Sequence, residues 1–326
     1  MPHTKQEKPF SEKLKAFFRV GKSSGFPHPE SCELVLSQDV VEELSTTQPV
    51  STRLKTIKDL GSQVREHRLQ KHGVEMLWYK IQDLLEANQE KEVRHAVFDF
   101  LVHLVLGQYN SLDMMRPKLF MFIREHRVQD DFEIKISLLV ALTDNGKDVL
   151  HIDEQLGPYL LELLELEMIE KSAVVGHLLS LTSNMVKYNS AYLNQTVVVR
   201  FIIRLAQISC CNSSNDEEIL QCLDILKCVV MYSFVPPEAL VPFISCVCTV
   251  VNLPNVSTDA WDTMRKMMGT HLGHSALYQL CQIIQNPANN KEIALIRGAV
   301  FFIGKQTIIL RSVLIMAFNR SLFVGS

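Results

Sequence analysis

The stretch MMGTHLGHSALYQLC, Met267 to Cys281, places two imidazoles and a thiol within a few turns of chain. His271, His274 and Cys281 are residue types that bind zinc or pair a nucleophile with its base. A zinc site needs four ligands in a closed tetrahedron, or three and a water. These three side chains, with no carboxylate in the stretch, do not supply one. The expected role is structural, with the histidines hydrogen-bonding to fix a helix–helix angle, Gly269 and Gly273 taking positive φ, and Ser275 capping the following helix. Cys246 and Cys248 in ISCVCTVV, and the adjoining Cys210 and Cys211, match neither a zinc nor a thioredoxin-like spacing and read as small buried residues. Glu162, Glu165 and Glu167 in YLLELLELEMIEKS read as the wet face of an amphipathic helix. There is no GxxxxGK[ST] phosphate loop and no GxSxG elbow. The sequence thus offers no catalytic, cofactor-binding or metal-binding residues and implies neither a cofactor nor a small-molecule substrate.

The elements that carry these residues are helical. From about Gln38 onward apolar residues recur at three- and four-residue steps, as in VEMLWYKIQDLL, HAVFDFLVHLVL and EILQCLDILKCVV, and period-two strands are nearly absent. Short polar breaks (GQYNSLD, TDNGKD, CNSSND, YSFVPPE, NLPNVSTD) supply capping residues, and Pro236 and Pro237 suit a first turn. VRHAVFDFL from Val93, IKISLLVAL from Ile134 and IRGAVFFIG from Ile296 share an apolar–basic start, and weaker copies begin at Ile219 and Ala260. The copies recur at about 40 residues, the period of HEAT and armadillo repeats, whose units cannot bury their apolar faces alone and so must stack. The expected fold is all-α, an α-solenoid of about six helical pairs over residues 38–304.

Composition agrees with a folded chain: of 326 residues 47% are hydrophobic and 21% charged, with a formal net charge of −3. That balance leaves no electrostatic footprint for nucleic acid. Eight cysteines are too few for a disulfide framework in so long a chain, and no secretory signal opens it, so a reducing intracellular setting is expected. The glycosylation-type triplets at Asn194, Asn212 and Asn255 carry no weight in that setting. Arg311 and Arg320 interrupt the one segment apolar enough to suggest a membrane span, so a soluble protein is expected. Residues 1–37 read as a mobile basic arm with a short amphipathic patch (Leu14, Phe17 and Phe18 beside Lys13, Lys15 and Arg19). Residues 305–326 read as a divergent apolar tail, which leaves the expectation that the flank Val300–Ile303 lies uncovered or is capped by the tail itself.

Five segments go beyond fold class: EVRHAVFDFL from Glu92, ALTDNGK from Ala141, MVKYNSAYL from Met185, MGTHLGHSALYQLC from Met268 and LIRGAVFFIG from Leu295. Together and in this order they resemble the amino-terminal region of the tuberin family, over about Gln38 to Gly304, with a fainter echo in EKLKAFF. The resemblance implies HEAT repeats that hold the coiled coil of hamartin in a cytoplasmic complex. That complex acts as GTPase activator for Rheb and negatively regulates TOR signalling, a tumour-suppressor role, and would meet membranes only as a larger assembly. The family's activating domain, with its catalytic asparagine, would lie beyond residue 326, so this chain would be a scaffold and not an enzyme. After Gly304 the sequence departs from the family pattern, as expected of a truncated isoform. A generic intracellular α-solenoid adaptor is the alternative.

Overall fold

The computed structural model describes residues 33–166, 174–211 and 215–305, and the chain divides into two compact units between Ile152 and Asp153. In the first unit six helices follow in order: α1 (Gln38–Glu43), α2 (Val50–Glu66), α3 (Gly73–Ile81), α4 (Lys91–Gly107), α5 (Met115–Glu125) and α6 (Phe132–Leu142). Helices α2, α4 and α6 pack side by side as one layer, while α5 packs on α6 from a second. This alternation, in which every second helix touches, is the stacking that a helical-pair repeat requires.

A buried cation recurs in the first layer. Arg53, Arg94 and Lys135 are all buried and lie near the starts of α2, α4 and α6, in steps of about 40 residues. Arg53 donates to Asp83 (2.6 and 2.8 Å) and to the Lys80 carbonyl. Arg94 donates to Asp131 (2.6 and 3.2 Å) and to the Gln89 carbonyl. Lys135 donates to the His126 carbonyl at 3.0 Å, and burial pushes its ammonium down to about 8. Asp131 is fully buried and also meets His126 Nε2 at 2.7 Å and His95 Nε2 at 3.1 Å. Burial alone would raise the Asp131 carboxyl, but hydrogen bonds from Arg94 and His126 outweigh it and hold the group below its ordinary range.

Glu33–Leu34 (β1) and Arg68–Leu69 (β2) form a two-residue parallel bridge, and Gln108 ties it to α2. The Gln108 amide accepts from Leu69 N and donates to the carbonyls of Val64 and His67. Glu33 and Leu34, inside the segment read as arm, are therefore paired; residues 1–32, with the amphipathic patch, lie outside the described residues.

The second unit contains α7 (Asp153–Leu164), α8 (Val175–Asn189), α9 (Gln195–Ser209), α10 (Asp216–Tyr232), α11 (Leu240–Val250), α12 (Ser257–Met268), α13 (Gly273–Gln285) and α14 (residues 293–305). Helices α8, α10 and α12 form one layer and α7, α9, α11 and α13 the other. The repeat read from the sequence is visible as side-chain bonds between equivalent positions: Ser183 to Asp224 over 41 residues, Asn255 to Asp216 over 39, and Asn252 to the Ala294 carbonyl over 42. Asn215 opens α10 with a capping box completed by Glu218, and Asn194 accepts from Val197 N to cap α9. Two of the glycosylation-type asparagines are thus structural; Asn212 lies outside the described residues. Pro236 and Pro237 open the short 3-10 turn that leads into α11, as expected.

Phe302 in the flank Val300–Ile303 is not bare. Its ring is buried, stacked on Trp261 of α12 at 6.0 Å and 15°, and Phe301 meets the same indole edge-on. Val300 remains exposed. The tail from residue 306 lies outside the described residues.

Candidate partner-binding groove

The layer α9–α11–α13 carries an open groove of about 740 Å³ between its helices and the chain leading into α14. Each helix contributes apolar wall from its own repeat: Ile203 and Ala206, then Val241 and Pro242, then Ile283, with Leu295 closing the end. Ile203, Val241 and the neighbouring Ile284 are exposed although large and apolar, Val241 by 52%. The rim here is built of amides, Gln207, Gln279, Gln282, Asn286 and Asn289, and Glu292 is the acid among its lining residues. Amides bond to either polarity, so this rim would position a partner by hydrogen bonding and not by charge.

The histidine turn lies elsewhere in the unit. His271 is exposed and stacks on Phe234, from the preceding repeat, at 5.2 Å and 14°. His274 is exposed in the first turn of α13, and neither histidine hydrogen-bonds to a described residue, contrary to the expected role. The turn is held by Thr270, whose hydroxyl donates to the Met267 carbonyl (2.7 Å) and accepts from Leu272 N (3.2 Å). Ser275 is therefore not the cap, because α13 has already begun at Gly273. Gly269 keeps a right-handed φ of −80°, and Gly273 is needed for close approach, since a Cβ there would lie 2.2 Å from the Met268 carbonyl oxygen. Among the described residues no group of three or more His, Cys, Asp or Glu is placed to hold a metal ion. Elemental analysis of the purified chain is expected to find well under one zinc per molecule. One tightly held zinc, lost in His271→Ala, would contradict this assignment.

Cys246 and Cys248 are buried in α11, where burial pushes the Cys248 thiol up to about 12. Cys210 is exposed and Cys211 half-buried, so the reading of that pair as core residues does not hold: α9 ends at Ser209 and turns both toward the surface. Glu162 and Glu165 are exposed as expected, Glu165 in an ion pair with Arg200, and Glu167 lies outside the described residues. The groove itself was not legible in the sequence, because exposed and buried apolar residues recur with the same helical period. No described helix is long and apolar enough to cross a membrane.

Comparison with known proteins agrees with this architecture. The family described as Domain of unknown function (DUF3384) matches residues 50–322, a span that includes most of the segment read as divergent tail. The Tuberous sclerosis 2 protein homolog of Schizosaccharomyces pombe is 20% identical over 284 residues, covering 80% of this chain. The chain spans 21% of that relative's length. The solved structure of the TSC2 N-terminus superposes with a TM-score of 0.74 at 20% identity, over 82% of this chain and 70% of that one, and so shares the helical-repeat fold. The chain belongs to the DUF3384 family and is an amino-terminal region of the tuberin type.

Proposed function

We propose that this chain is the binding scaffold of a tuberin-like protein, and that its groove over α9, α11 and α13 seats one helix of the hamartin coiled coil. The complex so formed would act in the cytoplasm as the GTPase activator for Rheb and restrain TOR signalling. The observation that carries this reading is the groove itself: apolar wall donated by three successive repeats, left open, and edged with hydrogen-bonding amides. An amphipathic helix fits such a trough by inserting side chains at i, i+3, i+4 and i+7.

Val241→Asp tests the assignment. The side chain is exposed, so the folded state should tolerate the change, while a buried carboxylate in the interface would cost about 2 kcal/mol or more, roughly thirtyfold in affinity. Titration calorimetry against the hamartin coiled coil should show that loss with an unchanged far-ultraviolet spectrum. Equal affinity for the two proteins would move the partner site off the groove.

A further inference from the structure

The segment ALTDNGK holds the one Asn–Gly step of the sequence, Asn145–Gly146. Asparagine is a thermolabile residue, and most so before glycine, which has no Cβ to keep its own amide nitrogen from the preceding side-chain carbonyl. The turn after α6 keeps that nitrogen occupied. Thr143 is fully buried, and its hydroxyl donates to the Leu139 carbonyl at 2.9 Å and accepts from Gly146 N at 3.0 Å. Gly146 is itself buried, and Asn145 N donates to the Val140 carbonyl at 2.8 Å. Asp144, Asn145 and Gly146 are left-handed in succession, at φ of 46°, 53° and 83°, a run that these three residue types bear best. Asp148 N closes the turn on the Thr143 carbonyl at 3.0 Å, and the Asp148 carboxylate is held by Arg116 at 2.8 Å and by the Tyr109 hydroxyl at 2.9 Å. Freeing Gly146 N thus means pulling the end of α6 out of a bonded network that reaches the chain after α4.

We propose that Asn145 is a deamidation site held closed by the native turn, with the Thr143 hydroxyl as its guard, so that the amide is lost only in molecules whose α6 end has opened. Local opening of this kind is the ordinary route by which buried backbone meets solvent. Once freed, the Gly146 nitrogen attacks the side-chain carbonyl carbon of Asn145. The N–C bond forms, the C–NH2 bond breaks, and ammonia leaves with the proton from Gly146 N. Water then opens the five-membered imide at either carbonyl and leaves aspartate or isoaspartate at 145. The net change is amide and water to carboxylic acid and ammonia. Either product puts a further negative charge between Asp144 and Asp148, and isoaspartate also lengthens the backbone by one carbon, so the turn recloses less well. The modification is therefore a one-way record of opening in the first unit, and it does not depend on what the groove of the second unit holds.

The test incubates the intact chain in mildly alkaline buffer, native and in concentrated urea, and follows the asparagine-to-aspartate mass shift at each asparagine after digestion. In urea Asn145 is expected to convert first. In the folded chain it should convert at least about tenfold more slowly, since only the open fraction reacts. Thr143→Val removes the acceptor of Gly146 N and should bring the native rate to within a few-fold of the urea rate, whereas Thr143→Ser keeps the hydroxyl and should stay slow. Equal rates in native and unfolded parent overturn the proposal, as does a folded Thr143→Val that converts as slowly as the parent. Both parent rates are read in the unaltered chain, so a variant that fails to fold does not decide the outcome.

Discussion

Asp131→Asn is expected to cost about 3–5 kcal/mol of unfolding free energy, the usual penalty for removing one partner of a buried ion pair. Asp131 is fully buried, and Arg94, itself 4% exposed, would lose the carboxylate it is hydrogen-bonded to. The same change removes the acceptor that His126 Nε2 meets at 2.7 Å. Hydrogen exchange should report the loss along α4 and α6, which this cluster joins. The double variant Arg94→Met with Asp131→Leu should cost less than the single change, because the desolvation of both charges disappears together. A single variant within about 0.5 kcal/mol of the parent, the scale of an ordinary surface substitution, would show that the ion pair is not what holds these helices together.

The cluster also sets a direction in pH. Burial is the first cause that lowers His126 from its ordinary 6.5, and the net balance lowers Asp131 from 3.8. Both groups therefore bind protons more weakly folded than unfolded. Their contribution is complete above those ordinary values and is lost as pH falls through the lower folded ones. Thermal midpoints should fall below about pH 6.5 and again below about pH 4. Asp131→Asn should flatten the second fall.

Gly298→Ala is the other large effect. A Cβ on Gly298 would lie 1.9 Å from the Cys248 carbonyl oxygen and 2.6 Å from its carbon, backbone atoms that no rotamer change can move. Helix α14 must then lift from α11, stretching the Asn252 bond to the Ala294 carbonyl and the Trp261–Phe302 stack. Overpacking of this kind costs about 1–3 kcal/mol. Gly304 lies on the same helix with nothing within 4 Å of its would-be Cβ. Gly304→Ala should stabilise by up to about 1 kcal/mol through helix propensity alone. Opposite signs for the two glycines, measured by urea unfolding, are the expected outcome; a neutral Gly298→Ala would mean that the close approach is not real.

These particulars show where the sequence was readable. The repeat period was, because stacking forces every unit to present the same apolar face: Val93 and Ile134 open equivalent helices, and bonds such as Ser183 to Asp224 cross neighbouring units at that spacing. The shared apolar–basic start was readable too, but not its role. Arg94 is buried on Asp131, while Arg297, at the like position in LIRGAVFFIG, is exposed, and nothing local distinguishes them. VQDD reads as an ordinary polar turn, and nothing local marks its Asp131 as buried. The β1–β2 bridge is too short for period two to register. The stacking partner of His271, Phe234, comes from another repeat, so the local sequence does not reveal it.

A scaffold for a coiled-coil partner must bind one in isolation, which titrating the purified chain with the hamartin coiled coil in a calorimeter measures. Saturable one-to-one binding with a negative heat-capacity change is predicted, since filling the groove buries apolar wall. No heat and no co-elution at concentrations of tens of micromolar would contradict it.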